Sequence, residues 1–204
     1  PGDAIEVLLS GLKIVPRENA TPLYNQLIRI YKDNGMFSEA REFALKLMIN
    51  NPMKWQPRIQ LIDVLSASNM RERRDKEINS VLREYREEEP AMIALAQLSA
   101  DYGNTEAAAR LYEVALENGY NLSLFSLTLA EAFVQAAIDS GSNIIALSAL
   151  LTTTMVNMKA VIDAFDAASK RDSVKIMIGG APVTDNFANE IGADSYSPDA
   201  ATAA

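Results

Sequence analysis

Apolar positions in the first part of the chain recur at helical spacing. Ala40, Ala44 and Leu47-Met48 fall at i, i+4 and i+7, the stripe of a helix with one buried face. Ala108, Tyr112 and Ala115-Leu116 repeat that stripe. The segments leading into them also match: Tyr31-Lys-Asp-Asn-Gly35-Met-Phe-Ser-Glu-Ala40 aligns with Ser99-Ala-Asp-Tyr-Gly103-Asn-Thr-Glu-Ala-Ala108, with glycine five residues before alanine in both. Glycine suits a tight left-handed turn between two helices, and alanine lets helix backbones approach closely. An earlier helix is expected over residues 3–14, ended by Pro16, and a later one carries Ile78, Val81, Leu82 and Tyr85 and is ended by Pro90. With the stop at Asn51-Pro52, these prolines lie 36 and 38 residues apart, so the period they mark is loose.

After about residue 133 the two-helix rhythm ends. Residues 143–150 form a short, mostly apolar, strand-compatible run behind Ser140-Gly141-Ser142. Met155, Met158, Val161, Ile162 and Phe165 then give helical spacing over 155–169. A second apolar strand is expected over 174–178, ended by Gly179-Gly180. A short helix capped by Thr184 follows over 184–191, then a third strand over 193–196 and a terminal helix from near Pro198-Asp199. Strands alternating with helices argue for a parallel sheet covered by helices. The expected fold is mostly α: helical repeats over 1–132, then a partial α/β unit of three parallel strands over 133–204.

Composition narrows the chemistry. The net charge is −8, about −3 over residues 1–130 and −5 over the rest, a poor balance for gripping a phosphate backbone, so no nucleic-acid partner is expected. The one short basic run, Arg71, Arg73, Arg74 and Lys76, is answered by Glu84 to Glu89 and reads as a solvated helix face. There is no cysteine and no histidine, so disulfides and thiolate sites are excluded and any metal would need carboxylates alone. Histidine and cysteine bases and nucleophiles are likewise unavailable, and Gly-Gly-Ala-Pro lacks the glycine spacing of a nucleotide fingerprint. Purely apolar stretches are shorter than ten residues, and no signal peptide is visible, so neither a membrane partner nor export is expected and the location is read as cytoplasmic. Pro1 stands in the middle of a pattern, as in an excised fragment.

Several residues have two readings on composition alone. Asn25, Arg29 and Lys32 project from one face of the helix over 23–32, as a peptide-binding stripe or as an ordinary polar outer face. Trp55, before Gln56-Pro57 at a helix start, reads as a packing residue between repeats. Ser148, Thr152, Thr153 and Thr154 follow the first strand, where ligands of parallel sheets bind, but they also precede a helix, where Ser and Thr are ordinary caps. Gly179 and Gly180 either let a flat group approach the backbone or turn the chain after a strand.

Two family resemblances change these readings. Tyr24, Leu27, Tyr31, Gly35, Ala40 and Pro52 resemble the tetratricopeptide repeat, paired antiparallel helices of about 34 residues. Residues 1–16 would be a second helix and 122–133 a first helix of further units. Residues 53–90 fit poorly, because the turn at 66–70 lacks glycine and carries extra residues. The resemblance implies a peptide or protein partner held in the groove by Asn25, Arg29 and Lys32. The second resemblance rests on Leu147-Ser-Ala-Leu-Leu-Thr-Thr-Thr-Met155, Gly179-Gly-Ala-Pro-Val-Thr184 and Gly192-Ala-Asp-Ser-Tyr-Ser-Pro-Asp-Ala200. These are similar, in order and spacing, to the second half of the flavodoxin-like corrinoid (B12) binding domain of methyltransferase carrier proteins. That likeness implies Ser148, Leu150, Thr152 and Thr154 along the cofactor's nucleotide tail, room for it at Gly179 and Gly180, and Tyr196 near its far end. The family's Asp-x-His-x-x-Gly loop and its first two strands have no counterpart here.

The two resemblances together imply a composite: repeats joined within 129–137 to half of a corrinoid domain, or a half-domain completed by another chain. Such a chain would be an interaction scaffold with no catalysis of its own, binding cobalamin weakly or not at all. The alternative is a corrinoid methyl-carrier of a methyltransferase system, its missing half supplied in trans. The unpaired edge of the first strand is expected to favour self-association.

Overall fold

The structure, a computed structural model, describes residues 2–199 and 201–203. The chain falls into two compact units, one up to Leu95 and one from Ala96 on.

The first unit is helical throughout: α1 (Gly2–Ile14), α2 (Thr21–Asp33), α3 (Phe37–Asn50), α4 (Gln56–Ala67), α5 (Arg71–Glu84) and the start of α6 (Glu89–Asp101). Each of α1 to α5 packs on its neighbour in sequence. Leu27, Ala40, Ala44, Leu47 and Val64 are fully buried among them, and Tyr31 stacks on Phe43 with ring centroids 5.5 Å apart. The alanines at 40 and 44 therefore sit where close helix approach needs them.

The turn between paired helices is more regular than the proline stops. Gly35, with φ of 72°, closes α2: its N–H donates to Lys32 O and that of Met36 donates to Tyr31 O. The same pair of bonds closes α4, where Asn69 takes φ of 55°, and closes α6, where Gly103 takes φ of 59°. This is a left-handed C-terminal cap, a conformation asparagine tolerates better than most side chains. From Gly35 to Asn69, and again to Gly103, the interval is 34 residues. The turn at 66–70 is thus the same turn without its glycine. A 14-residue helix follows each one: α3, α5 and α7 (Thr105–Asn118).

In the second unit α7 is followed by α8 (Leu122–Ser140), which runs unbroken through residue 133 and the expected join at 129–137. By length and composition α8 is the one helix among the described residues able to cross a bilayer, yet Phe125, Thr128, Ala130, Ala132 and Ala137 are buried inside the unit. Then come β1 (Ile144–Ser148), the single turn α9 (Thr152–Met155), α10 (Asn157–Ala167), β2 (Lys175–Gly179), α11 (Asp185–Ile191) and β3 (Ser195–Ser197). Thr184 caps α11 as expected, its Oγ1 accepting from Phe187 N at 3.2 Å. The expected terminal helix is absent among the described residues: 201–203 form a turn in which Asp199 Oδ1 accepts from Thr202 N, and Ala200 lies outside the described residues.

The three strands are parallel, in the order β1-β2-β3. Ile145, Leu147, Ile176 and Ile178 share a core with Val134 of α8, Val161 and Phe165 of α10 and Ile191 of α11. The alternate residues Ile144, Ala146, Ser148 and Lys175 are exposed. Parallel sheets are ordinarily buried on both faces, so this sheet is half covered, and β1 forms its edge. The mostly α architecture with a three-stranded parallel sheet is the expected fold class.

Candidate functional site

Where β1 ends, the register aligns Ser148, Gly179 and Ser197 in one row at the carboxyl edge of the sheet. Ala149 N extends the ladder by donating to Gly179 O at 3.1 Å. The chain then leaves through Leu150 and Leu151, 82% and 60% exposed, into α9 and α10. Beside this exit lies a cleft of about 540 Å³. Tyr112 and Glu113 of α7, Leu129 and Phe133 of α8, Leu147 and Ser148 of β1, and Leu150, Thr154, Asn157, Met158 and Val161 line it.

Of the residues singled out in the sequence, Ser148, Leu150 and Thr154 meet in this cleft, whereas Thr152, Gly179, Gly180 and Tyr196 do not line it. The space before each glycine is taken by the chain itself. A methyl on Gly179 would stand 2.4 Å from Ser197 O, and one on Gly180 2.1 Å from Ala149 O. Tyr196 pairs with Ile178 in the sheet and is half-buried. The hydroxyls do not cap: α9 has no side-chain cap, and Thr154 Oγ1 donates back to Leu151 O at 3.0 Å. Among the described residues the hydroxyls of Ser148 and Thr152 make no hydrogen bond.

Sequence reasoning missed Tyr112 and Asn157. Tyr112 is buried and its hydroxyl donates to Thr153 O at 3.4 Å, tying α7 to α9. Asn157 is buried and accepts from Ser126 Oγ through its Oδ1. Its signal was available: it is a lone amide inside the apolar run Met155, Val156, Met158 and Val161.

Behind the site, an ionic corner fixes β3 to β2. Asp194 N donates to Ile176 O, and Ile176 N donates to Asp194 Oδ2, both at 2.8 Å. Arg171 Nη2 reaches the same carboxylate at 2.8 Å and Lys175 Nζ at 3.0 Å. Partial burial pushes the Asp194 carboxyl up, but the Ile176 N–H, Lys175 and Arg171 outweigh it and hold it below the usual value. Among the described residues no cluster of three or more metal-ligating side chains occurs.

In the first unit, Asn25, Arg29 and Lys32 of α2 share a groove of about 400 Å³ with Gln60 and Asp63 of α4, and Lys32 pairs with Asp63 at 2.7 Å. The basic run at the start of α5 is paired locally, Lys76 with Glu72 at 2.8 Å and Arg74 with Asp75 at 2.7 Å.

Curated relatives of the chain are corrinoid proteins. A trimethylamine corrinoid protein of Methanosarcina acetivorans is 50% identical over 66 residues, 32% of this chain and 31% of that protein. A corrinoid protein of Desulfitobacterium hafniense is 46% identical over 67 residues, 33% of this chain and 31% of that one. A dimethylamine corrinoid protein of Methanosarcina barkeri is 42% identical over 71 residues, 35% and 33% of the two chains. The chain thus spans about a third of the length of these relatives. Among solved structures, a cobalamin-binding protein from Desulfitobacterium hafniense is 19% identical with a TM-score of 0.34, covering 88% of this chain and 94% of that one. Residues 108–204, which include every residue named above on the walls of the cleft, match the family model of the B12 binding domain.

Proposed function

We propose that the second unit holds the nucleotide tail of a corrinoid in the cleft at the end of β1. In this reading the chain is part of a corrinoid methyl carrier in a methyltransferase system, and another chain contributes the half that faces cobalt. The observation that carries it is the cleft itself, which lies at the carboxyl edge of a parallel sheet, where such sheets bind ligands, and within the matched residues.

The cleft suits the tail's base. Its volume falls in the range of small-molecule sites, roughly 300–1,000 Å³. Leu129, Phe133, Leu147, Met158 and Val161 give it apolar walls, and Ser148 and Thr154 bring hydroxyls to it. The chain has no histidine to offer a metal, so these residues would hold the tail and leave cobalt to the other half. A bound corrinoid supplies a cobalt centre that accepts and releases a methyl group, while the protein's part is binding and orientation. Gly179 and Gly180 serve by letting β1, β2 and β3 close tightly beneath the cleft.

With one half of the cradle, binding should be weak. Titration with hydroxocobalamin, followed by visible absorbance, should give a dissociation constant above about 1 μM, weakened further by Ser148→Phe. No interaction at millimolar cofactor sinks the tail-binding reading, and a submicromolar constant sinks the half-cradle reading.

A second reading concerns the first unit, as a scaffold for a peptide. It is supported by the gathering of Asn25, Arg29 and Lys32 in one groove and by the 34-residue interval of the turns, the period of tetratricopeptide repeats. Because Asp63 already pairs with Lys32, Arg29 is the cation that remains for an acidic ligand. A peptide-array screen should return acidic extended peptides whose binding Arg29→Glu abolishes; retention of those peptides by the variant would count against the groove.

A further inference from the structure

We propose that Asn157 is the hydrogen-bond donor that selects the occupant of the cleft, a flat uncharged heteroaromatic ring with an unprotonated ring nitrogen, and that Ser126 positions it. The tail-binding reading suggests which molecule brings such a ring, but the residues alone define the ring's chemistry.

Asn157 is 7% exposed, in the first turn of α10, with apolar neighbours in its own helix. Val156 holds the cap position of α10, so the Asn157 side chain is not committed to the helix end. Its Oδ1 accepts from Ser126 Oγ on α8. The hydroxyl holds one end of a planar group, which fixes the other. The Nδ2 amino group, with two N–H donors, has no hydrogen-bond partner among the described residues, while its residue lines the cleft. It is not among the side-chain atoms sealed from solvent, so it stays reachable from the cleft, and an acceptor entering there takes the place of the water that otherwise serves it.

The remaining walls decide what carries the acceptor. Glu113 is the only charged side chain among the described lining residues, so no cation is present to receive a phosphate or carboxylate. Leu129, Phe133, Met158 and Val161 favour an apolar, compact body. A neutral fused ring with one acceptor nitrogen satisfies both conditions. Ser126 lies on α8 and acts only through the amide it holds.

The test is a pair of isosteric probes, 5,6-dimethylbenzimidazole and its all-carbon analogue 5,6-dimethylindene, titrated into the intact chain by protein-observed NMR. The wild type should prefer the heterocycle by about tenfold. Asn157→Leu should bind both probes equally, its retained affinity for the carbocycle showing that the cleft is intact. Asn157→Asp should lose the preference as well, which covers the case in which the leucine variant does not fold. Ser126→Ala should reduce the preference to about threefold by freeing the amide. Equal binding of the two probes by the wild type, or a preference unchanged in both Asn157 variants, overturns the proposal, as does failure of the wild type to bind either ring. Hydroxocobalamin separates the two ideas. If it fails to bind while the ring preference holds, the corrinoid reading falls and the assignment of Asn157 stands. If it binds the wild type and Asn157→Leu equally, the reverse is true.

Discussion

The α-carbon of Gly180 lies so close to Ala149 that a methyl group added there would stand 2.1 Å from the Ala149 carbonyl oxygen and 2.9 Å from its nitrogen. Gly180 also has φ of 113°, a conformation that side chains rarely adopt. Strain and collision act together, and the atoms to be displaced are backbone at the end of β1, beside the cleft. Gly180→Ala should therefore cost about 3 kcal/mol in urea denaturation followed by circular dichroism. Gly141→Ala is the control: its φ of 64° is left-handed but nothing lies within 4 Å, so about 1 kcal/mol is expected. Equal costs would mean that the tight passage between β1 and β2 is not what Gly180 provides.

Two carboxylates in the second unit should give stability opposite dependences on pH. Asp194 is held below its ordinary value of 3.8 because the bonds from Ile176, Lys175 and Arg171 outweigh its partial desolvation. Its contribution is complete above that value and is lost as pH falls through the folded-state value. Asp194→Asn should thus cost about 1 kcal/mol at neutral pH, a figure reduced for solvent screening, and little in acid. Glu131 is held above its ordinary value of 4.5, first by burial and then by Asp101. Its charged form opposes folding, so stability falls as pH rises from 4.5 through the folded-state value and is level above it. Glu131→Gln should gain about 0.5 kcal/mol at pH 7 and nothing below the carboxylate range. Thermal melts of both variants at pH 3 and pH 7 check the signs.

Much of this fold could be read from periodicity, because the pattern that reports burial is also the pattern that builds each element. The three strands and the Thr184 cap follow from short apolar runs and a single hydroxyl at the right place. The α4–α5 turn is hard to see in sequence for a physical reason: glycine marks a left-handed turn most plainly, and Asn69 adopts that conformation without being one. The lining of the candidate cleft was half legible. Ser148, Leu150 and Thr154 reach the cleft because they follow a strand end. Tyr112 was read as a core position of α7, and nothing local to it in sequence says that a strand end 36 residues later will lie beside it. Gly179 and Gly180 show the converse, since only three-dimensional packing reveals that their missing side chains make room for Ser197 and Ala149.

Asn69 provides a direct test of the turn. Its φ of 55° is one that β-branched side chains strongly resist, and its Oδ1 accepts from Arg71 Nε at 3.0 Å. Asn69→Val should cost about 2 kcal/mol. Asn69→Gly, which restores the residue found at positions 35 and 103, should be neutral to within about 0.5 kcal/mol. If valine were tolerated as well as glycine, the left-handed cap at the end of α4 would not be what orders that helix pair.

The edge of β1 should make the chain self-associate. Asn143 O accepts from Lys175 N and Ala149 N donates to Gly179 O, so the odd-numbered residues of this stretch face β2. By the alternation of a parallel ladder, the N–H and C=O groups of Ile144, Ala146 and Ser148 face the open edge. Ile144, 64% exposed, adds an apolar side chain beside them. Such an edge is a template for another strand. Sedimentation velocity should show dimer growing with protein concentration. Ala146→Pro removes one edge-facing donor without touching the β1–β2 ladder, and Ile144→Lys places a charge beside it. Each should shift the population toward monomer while leaving the melting temperature within about 4 °C. Dimerisation that survives both substitutions would place the contact elsewhere on the molecule.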